Sequence, residues 1–465
     1  MARYFFDHAL LPDGWADNVL ITVAPGGAIE EVFAMSDAGK NDENAIDGRF
    51  AVALPGLVNA HSHAFQRAMA GLAEFRGTAR DTFWSWRETM YRFALALTPE
   101  DQFAISAWLH VELLKHGYTS LVEFHYLHNQ PDGRPYDDPS LMSQATVEAA
   151  AETGIGLTHL PVLYMTADLS GTPLTDRQRR FGLDVDTLAR ITERVRDAVR
   201  DEPDMTTGLA AHSLRAVPPA AMTALLDARR TLGVAPFHIH VAEQKQEVED
   251  CRTHLGRPPV DWLLDNAPVD GNWTLVHGTH VSDRACAQLA GTGAAVALCP
   301  TTEGNLGDGI FPLLTFVNAG GAIAIGSDSH VSVSPWEELR WMEYVQRLHR
   351  QERNVMATSA NPHTGTALVQ HLSRSAAQVT GRPVGRLAAG NRADLVVLDT
   401  APGQFAGRRA EQVLDTAIFA AHGNPVRHVM VGGKWRVTDG HHVQETPIGD
   451  RYRKTQRNLA ARLAS

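Results

Sequence analysis

Short apolar runs alternate with longer segments of helical periodicity over roughly 300 residues of this chain. Eight apolar runs can be counted, and they end near His61, Phe124, Val162, His212, Val241, His277, Cys299 and Asp328. Helical segments lie between them, for example at 102–116 and 140–153. This alternation is typical of a parallel sheet wrapped by crossover helices. Eight units predict a closed (β/α)8 barrel of the TIM type, although periodicity alone also fits a doubly wound open sheet.

Both ends of the chain have a different sequence pattern, in which short β segments are separated by turn residues. Residues 19–23 form an apolar run before Pro25, Gly26 and Gly27, and the segments 390–399 and 429–437 repeat the pattern of strand, turn and strand. We therefore predict a small β-sandwich domain made by the two ends together. Its parts are residues 1–52 and 385–465, and the barrel spans residues 53–384.

The composition disfavours several classes of protein. The chain has 465 residues, is 44% hydrophobic and carries a formal net charge of -11, so it can bury a large core. No run rich in lysine and arginine stands out, which argues against a nucleic-acid or anionic-membrane partner. No apolar run approaches ~18 residues, and the amino terminus does not resemble a secretory signal.

The three cysteines, Cys251, Cys286 and Cys299, are too scattered for a disulfide framework or a zinc ribbon. A reducing, cytoplasmic location is the natural expectation. Since dimers are the commonest soluble assembly, we also expect a homodimer.

His61 and His63 follow the apolar run at 52–60. Side chains two residues apart on a strand project from the same face, so both imidazoles can converge on one ion, whereas on a helix they would diverge. An isolated pair of this kind is also compatible with two hydrogen-bonded surface histidines. The pair therefore needs support from other parts of the chain.

Three further predicted strands end in groups that can bind metal or transfer protons. His240 and Glu243 end one strand, His277 ends the next, and Asp328 follows the last. His238 shares the strand face of His240, so spacing alone does not choose between them. In a barrel, all these groups would meet at the carboxyl-terminal rim, where hydrophobic burial would not place them.

In this order of motifs the chain resembles the amidohydrolase superfamily, and the likeness extends to the terminal β segments. The resemblance implies one divalent metal ion, most commonly zinc, and it makes His240 rather than His238 a ligand. A single ion is implied because residues 208–213 lack the lysine that binuclear members place after the fourth strand. The implied ligands are His61, His63, His240 and Asp328.

The resemblance also implies a hydrolytic mechanism. The metal would acidify a bound water and so give hydroxide at neutral pH. Asp328 would accept the proton of that water, and His277 would orient and polarise the reacting groups. Glu243 would protonate the substrate nitrogen and help ammonia to leave.

The expected substrate is a small anion. Arg215 lies beside the rim residue His212, while Arg87 and Gln66 could join it, and two guanidinium groups suit carboxylates better than a neutral heterocycle. The segments 61–67, 123–126 and 212–215 resemble the branch of the superfamily that deiminates N-formimino-L-glutamate to N-formyl-L-glutamate and ammonia in histidine degradation. By that resemblance the substrate contacts are Gln66, Arg87, Tyr126, His212 and Arg215.

Two rival functions remain open. One is a purine or pyrimidine deaminase with the same metal chemistry, for which Trp84 or Trp86 could stack on a base. The other is a non-catalytic barrel that serves as a scaffold. Retention of Glu243, His277 and Asp328 disfavours the scaffold, which would not need that set.

Overall fold

The structure of the protein is a computed structural model that describes residues 1–34, 46–76 and 82–464. Its strands are β1 (Ala2–Leu11), β2 (Gly14–Val23), β3 (Ile29–Ala34), β4 (Gly48–Pro55), β5 (Leu57–Ser62), β6 (Tyr118–His125), β7 (Gly156–Leu163), β8 (Met205–Thr207), β9 (Leu209–Ala211), β10 (Phe237–Val241), β11 (Trp273–His277), β12 (Ala295–Leu298), β13 (Ala322–Ile325), β14 (Leu395–Leu398), β15 (Val426–Val431), β16 (Lys434–Thr438) and β17 (His441–His442).

The α-helices run between and around these strands. They are α1 (Phe83–Ala96), α2 (Pro99–His116), α3 (Leu141–Thr153), α4 (Val185–Ala198), α5 (Pro219–Leu232), α6 (Lys245–Leu255), α7 (Pro259–Asn266), α8 (Asp283–Gly291), α9 (Pro300–Leu306), α10 (Leu313–Asn318), α11 (Pro335–Arg350), α12 (Thr364–Thr380), α13 (Ala410–Phe419) and α14 (Glu445–Ala464). Within the residues that the structure describes, short 3-10 helices lie at Ala64–Met69 and Gly403–Phe405.

Strands β5 to β13 form the closed parallel barrel that the sequence predicts. The order is β6-β5-β13-β12-β11-β10-β9-β7-β8, and pairing of β6 with β7 closes the ring. The fourth barrel strand is divided into β8 and β9, so the nine strands occupy eight positions. Because every strand of the barrel runs parallel to its neighbours, all carboxyl ends meet at one rim.

Helix α4 illustrates how the sequence places helices around the barrel. Asp184 caps its start, where the carboxylate accepts the backbone N–H of Thr187 at 2.6 Å. Leu188, Ile191 and Val195 recur at spacings of three and four residues, and all three are buried. One apolar face therefore packs against the barrel, and the opposite face is left for solvent.

The terminal strands form a mixed sheet of eight strands in the order β17-β16-β15-β14-β4-β1-β2-β3, in which both ends of the chain take part as expected. Strand β4 continues to Pro55, so the terminal sheet extends a little past residue 52. The single apolar run of the sequence is thus two strands that meet at Gly56. A Cβ at Gly56 would collide with the Thr119 side chain, so only glycine fits this junction.

The last helix, α14, leaves the terminal sheet and packs against α2 on the barrel. Arg462 of α14 pairs with Asp101 at 2.5 Å, and Arg451 pairs with Glu152 of α3. The carboxyl-terminal segment therefore contributes to both parts of the molecule. Across the described ranges, no helix is both long enough and apolar enough to span a membrane.

Candidate active site

Three imidazole rings converge where strands β5 and β10 end. The Nε2 atoms of His61 and His63 are 3.2 Å apart, and Nε2 of His240 lies 2.9 Å from Nε2 of His61. The two-residue spacing turns the first two rings to the same side of an extended segment, as expected. Two strands that are not neighbours in the barrel thus bring the Nε2 atoms of these histidines together at the rim.

Asp328 joins this cluster from the loop after β13. Its Oδ1 lies 3.3 Å from Nε2 of His63 and 3.6 Å from Nε2 of His61. The side chain is only 8% exposed, and burial raises the pKa of Asp328 to about 7. A buried carboxylate among imidazoles is stabilised in its charged form when a cation shares the site.

The ring nitrogens that face each other cannot all be satisfied by one another. Nδ1 of His63 donates to the carbonyl of Phe124 at 2.9 Å, and Nδ1 of His240 donates to the carbonyl of His212 at 2.9 Å. Each neutral ring therefore presents a lone pair at Nε2. Nε2 of His61 carries at most one hydrogen and can donate it to only one of these two lone pairs. The other lone pair is then left without a hydrogen-bond donor among the three rings.

These histidines are held neutral by their surroundings. Burial lowers the pKa of His63 to about 3, and it also lowers the pKa of His61 and His240 well below the usual value, with neighbouring rings adding to the effect. Neutral imidazoles are the form that binds metal. Two overlapping donor groups result, His61 with His63 and Asp328, and His61 with His240 and His277, and such nitrogen and carboxylate donors fit a divalent cation, zinc among others.

His277 lies between three carboxylates. Its Nε2 is 3.9 Å from Oε1 of Glu243 and 3.8 Å from Oδ2 of Asp328, while its Nδ1 is 3.3 Å from Oε1 of Glu303. Burial lowers the pKa of His277, but the carboxylates outweigh burial and raise it to about 10. Glu303 also accepts the backbone N–H of Cys299 at 2.9 Å. The ring is thus anchored on one side and faces the cluster on the other.

Glu243 stands at the edge of the cluster, just before helix α6. Its backbone N–H donates to the Glu247 carboxylate at 3.0 Å, which ties the residue to the first turn of that helix. Burial raises the pKa of Glu243 above that of an exposed glutamate. A carboxyl group with a raised pKa exchanges protons readily near neutral pH.

Backbone strain is concentrated at these strand ends. Ala242, His277, Asp328 and His330 have φ angles of 51°, 69°, 48° and 60°. Residues with a Cβ rarely adopt this left-handed region, and each instance costs on the order of 1–3 kcal/mol. The backbone at these strand ends around the mouth of the barrel is therefore less stable than an unstrained backbone would be.

A network behind the cluster links the loops that carry it. The Ser62 hydroxyl donates to Glu123 at 2.5 Å and lies 3.0 Å from Nε2 of His330, and Nδ1 of His330 contacts the Ser327 hydroxyl at 2.8 Å. Asn59 donates to the same Ser327 hydroxyl at 2.6 Å. These bonds tie the end of β5 to the loop that holds Asp328, which fixes their relative position.

The cluster forms the floor of a pocket of about 90 Å³. Ten of the residues singled out in the sequence line the pocket: His63, Gln66, Arg87, Tyr126, His212, Arg215, His240, Glu243, His277 and Asp328. The eleventh, His61, lies beneath them and is fully buried. The fold brings the whole predicted set together, and the role of each residue remains a prediction.

Two arginines face the pocket without an acidic partner. Nη2 of Arg87 donates to the Tyr164 hydroxyl at 3.1 Å, and Nη1 of Arg215 donates to the same oxygen at 2.9 Å. Within the described part of the chain, neither guanidinium has a carboxylate oxygen within 4.0 Å. Unpaired, half-buried guanidinium groups are binding groups for an anion.

Gln66 and Tyr126 line the same pocket, and the Tyr126 ring contacts that of His63. Nε2 of Gln66 donates to the Tyr126 hydroxyl at 2.8 Å, which fixes the orientation of the amide. Its Oε1 is buried and has no hydrogen-bond partner in the described residues.

The structure separates residues that the sequence left together and adds others. His238 shares the face of His240, but its Nε2 contacts the carbonyl of Val379 at 3.1 Å, away from the cluster. Glu303, Glu247 and Tyr164 belong to the site and were missed by sequence reasoning. A signal existed for two of them, since Tyr164 and Glu303 closely follow strand ends at the rim.

Comparisons with known proteins identify the family of this chain. The sequence profile of the amidohydrolase family matches residues 52–436, which is most of the chain. The chain belongs to the amidohydrolase family. The resemblance noted in the sequence is thereby confirmed, and members of this superfamily use a divalent metal. A second profile, described as the N-terminal domain of the formimidoylglutamate deiminase HutF, matches residues 4–45.

Individual relatives of this amidohydrolase are similar over nearly their whole length. Formimidoylglutamate deiminase of Pseudomonas aeruginosa is 45% identical over 445 residues, which covers 96% of both chains. The crystal structure of an amidohydrolase from Brucella melitensis is 41% identical, with a TM-score of 0.92 and coverage of 99% of this chain and 100% of that one.

A more distant structure shows the fold alone. An adenosine deaminase from Xanthomonas campestris with bound zinc is 19% identical, has a TM-score of 0.81 and aligns over 99% of this chain and 98% of its own. The barrel of this amidohydrolase is therefore shared with proteins whose sequences have diverged widely, so the fold by itself does not identify a substrate.

Proposed function

We propose that this amidohydrolase hydrolyses N-formimino-L-glutamate to N-formyl-L-glutamate and ammonia. The observation that carries the proposal is the pairing, in one pocket, of a metal-binding cluster with the unpaired guanidinium groups of Arg87 and Arg215. The cluster suits hydrolysis of an amidine carbon, and the arginines suit a substrate with carboxylates. Similarity to a formimidoylglutamate deiminase supports the same substrate.

The donors proposed to hold the metal are the three imidazoles and the carboxylate described above: His61, His63, His240 and Asp328. We propose zinc, because nitrogen ligands with one carboxylate are typical of catalytic zinc sites. When bound, the cation lowers the pKa of a water molecule so that hydroxide is present at neutral pH.

The neighbouring side chains then account for the proton transfers. Water adds to the formimino carbon and the terminal C–N bond breaks. The water oxygen therefore gives up two protons in turn and becomes the formyl oxygen, while the departing =NH nitrogen takes up two protons and leaves as ammonia. Asp328 lies where it can accept the first proton, and Glu243 lies at the pocket wall where it can deliver a proton to that nitrogen. His277, held by Glu303, stabilises the charge that develops on the attacking oxygen.

The rest of the pocket is proposed to bind the glutamate portion. The guanidinium groups of Arg87 and Arg215 donate charge-assisted hydrogen bonds to its carboxylates. Gln66, Tyr126 and His212 line the space between these arginines and the metal cluster, where the formimino N–H groups would lie. The substrate is thereby held with its reactive carbon over the floor of the pocket.

Assembly and location are proposed on separate grounds. We propose a homodimer, because Trp341, Tyr344 and Leu348 recur along one side of α11 and remain exposed, and such faces often mediate association. We propose a cytoplasmic location, since all three cysteines are free and buried, as in proteins of reducing compartments. Analytical ultracentrifugation of the purified protein tests the first proposal.

The test of function is ammonia release from a panel of compounds by the zinc-loaded protein. N-formimino-L-glutamate is expected to yield ammonia and N-formyl-L-glutamate, whereas guanine, cytosine and adenosine are expected to yield none. The rival to exclude is a nucleobase deaminase, which the exposed indole of Trp84 at the pocket edge would suit. Ammonia from a nucleobase and none from the formimino compound would reject the proposal.

A further inference from the structure

The hydroxyl oxygen of Tyr164 is the meeting point of three N–H donors. Arg215 donates from Nη1 at 2.9 Å, Arg87 from Nη2 at 3.1 Å, and Gln178 from Nε2 at 2.9 Å. Tyr164 directly follows β7, is 1% exposed and lines the pocket. The donors come from helix α1, from the loop after β7 and from the segment after β9. One oxygen therefore connects three separate parts of the pocket wall.

The orientation of these donors is fixed from outside the pocket. Oε1 of Gln178 accepts from the backbone N–H and the hydroxyl of Thr175 at 3.1 and 3.0 Å, so its amide nitrogen must face Tyr164. Nη1 of Arg215 also donates to the carbonyl of Ala167 at 3.0 Å. The arrangement is thus a supported network and more than a chance approach of long side chains.

Two like charges at a single oxygen need a compensating acceptor. Burial raises the pKa of Tyr164, but the charges of Arg215 and Arg87 outweigh it and lower the pKa below its ordinary value. The other phenols of this pocket behave in the opposite way, because burial raises the pKa of Tyr91 and Tyr126. Negative charge is therefore favoured at the point where the two guanidinium groups meet.

We propose that Tyr164 is a positioning residue that holds Arg87 and Arg215 side by side, so that their remaining N–H groups bind one carboxylate of the substrate. The inference rests on the proposed function and deepens it. Each guanidinium has five N–H donors, and within the described residues those on Nε and on one terminal nitrogen of each have no hydrogen-bond partner. These free donors suit bidentate recognition of a carboxylate.

The variant Tyr164→Phe tests this role because it removes only the oxygen. We expect KM for N-formimino-L-glutamate to rise about tenfold while kcat changes less than about twofold, since the lost hydrogen bonds act on binding. The matched control is Tyr452→Phe on α14, where another glutamine, Gln456, donates to a tyrosine hydroxyl at 2.6 Å outside the pocket. This control is expected to retain wild-type values.

Glutarate binding, measured by calorimetry on the zinc-loaded protein, provides a readout without turnover. Glutarate has two carboxylates and no formimino group, and we expect its Kd to rise about tenfold in Tyr164→Phe. Unchanged KM and Kd, a loss confined to kcat, or no glutarate binding by the wild type would overturn the inference. If the wild type releases no ammonia from N-formimino-L-glutamate, the proposed function fails, and the glutarate comparison still decides the role of Tyr164.

Discussion

The two ends of the pocket are built on different supports. The proposed metal-binding cluster lies on the ends of barrel strands, and its imidazoles are anchored by backbone carbonyls, as His63 is by Phe124 and His240 by His212. The arginines instead come from helix α1 and from the segment after β9, and side-chain bonds to Tyr164 join them.

This difference in support means that the residues proposed for the reaction and those proposed for substrate recognition lie on separate parts of the fold. Strand ends held by a closed sheet keep reactive groups in place with little freedom, whereas loops and an added helix change without disturbing the barrel. The barrel itself is shared at 19% identity, so the groups that bind a ligand can differ while the fold is kept. Each end of the pocket should respond differently to substitution.

The largest effect is expected when the metal-binding end is broken. His240→Ala removes one of the converging nitrogens, so bound zinc should be lost and ammonia release should fall to background. Metal analysis and the ammonia assay check this. The control is His238→Ala, which removes an imidazole from the same strand face but away from the cluster and should keep the metal. Equal metal content in the two variants would contradict the assignment.

A smaller loss is expected when only proton transfer is removed. Glu243→Gln keeps the size of the side chain but cannot deliver a proton, so kcat should fall by roughly 10²- to 10⁴-fold while metal content and KM stay near wild type. Glu249→Gln, on the exposed side of α6, serves as the control. Wild-type kcat in Glu243→Gln would remove this residue from the mechanism.

The recognition end should show its effect on substrate binding. Arg215→Met should cost roughly 2 to 5 kcal/mol in kcat/KM, mainly through KM, because a substrate carboxylate would be buried without its partner. Arg194→Met breaks an exposed pair with Asp138 and should leave kcat/KM unchanged. A variant that loses kcat at constant KM would place Arg215 at the chemical end instead.

The smallest expected signal is spectroscopic. Because the adjacent arginines lower the pKa of Tyr164, this residue should ionise at a lower pH than an ordinary tyrosine. A near-ultraviolet titration of tyrosinate absorbance should show an early step for one residue, and Tyr164→Phe should lack it. Superimposable early titration of the two proteins would argue against charge coupling between the arginines and this phenol.

Much of the fold could be predicted, and the reason is periodicity. The eight apolar runs correspond to the eight barrel positions, and helices predicted at 102–116 and 140–153 were observed at Pro99–His116 and Leu141–Thr153. The junction at Gly56 was not foreseen, although the Pro55-Gly56 pair inside the run from 52 to 60 is a turn signal. Close packing against Thr119 leaves no room for a side chain at Gly56, and that contact is not encoded locally.

The candidate site was predictable where residues lie at strand ends. His61, His63, His240, His277 and Asp328 follow apolar runs, so the barrel rule alone places them at one rim. Glu303 and Tyr164 also follow strand ends, but a single glutamate or tyrosine at such a position does not form a recognisable motif. Their importance depends on atoms of distant residues, His277 for the first and two arginines for the second.

By itself the sequence determined the alternation of strands and helices, and with it the rim at which polar groups collect, because hydrogen-bonding and side-chain periods are local properties of the chain. Only the tertiary structure decided which nitrogen atoms face one another, why His240 and not His238 joins the cluster, and that one tyrosine oxygen joins Arg87 to Arg215. These are distances between residues far apart along the chain, and packing of the whole barrel sets them.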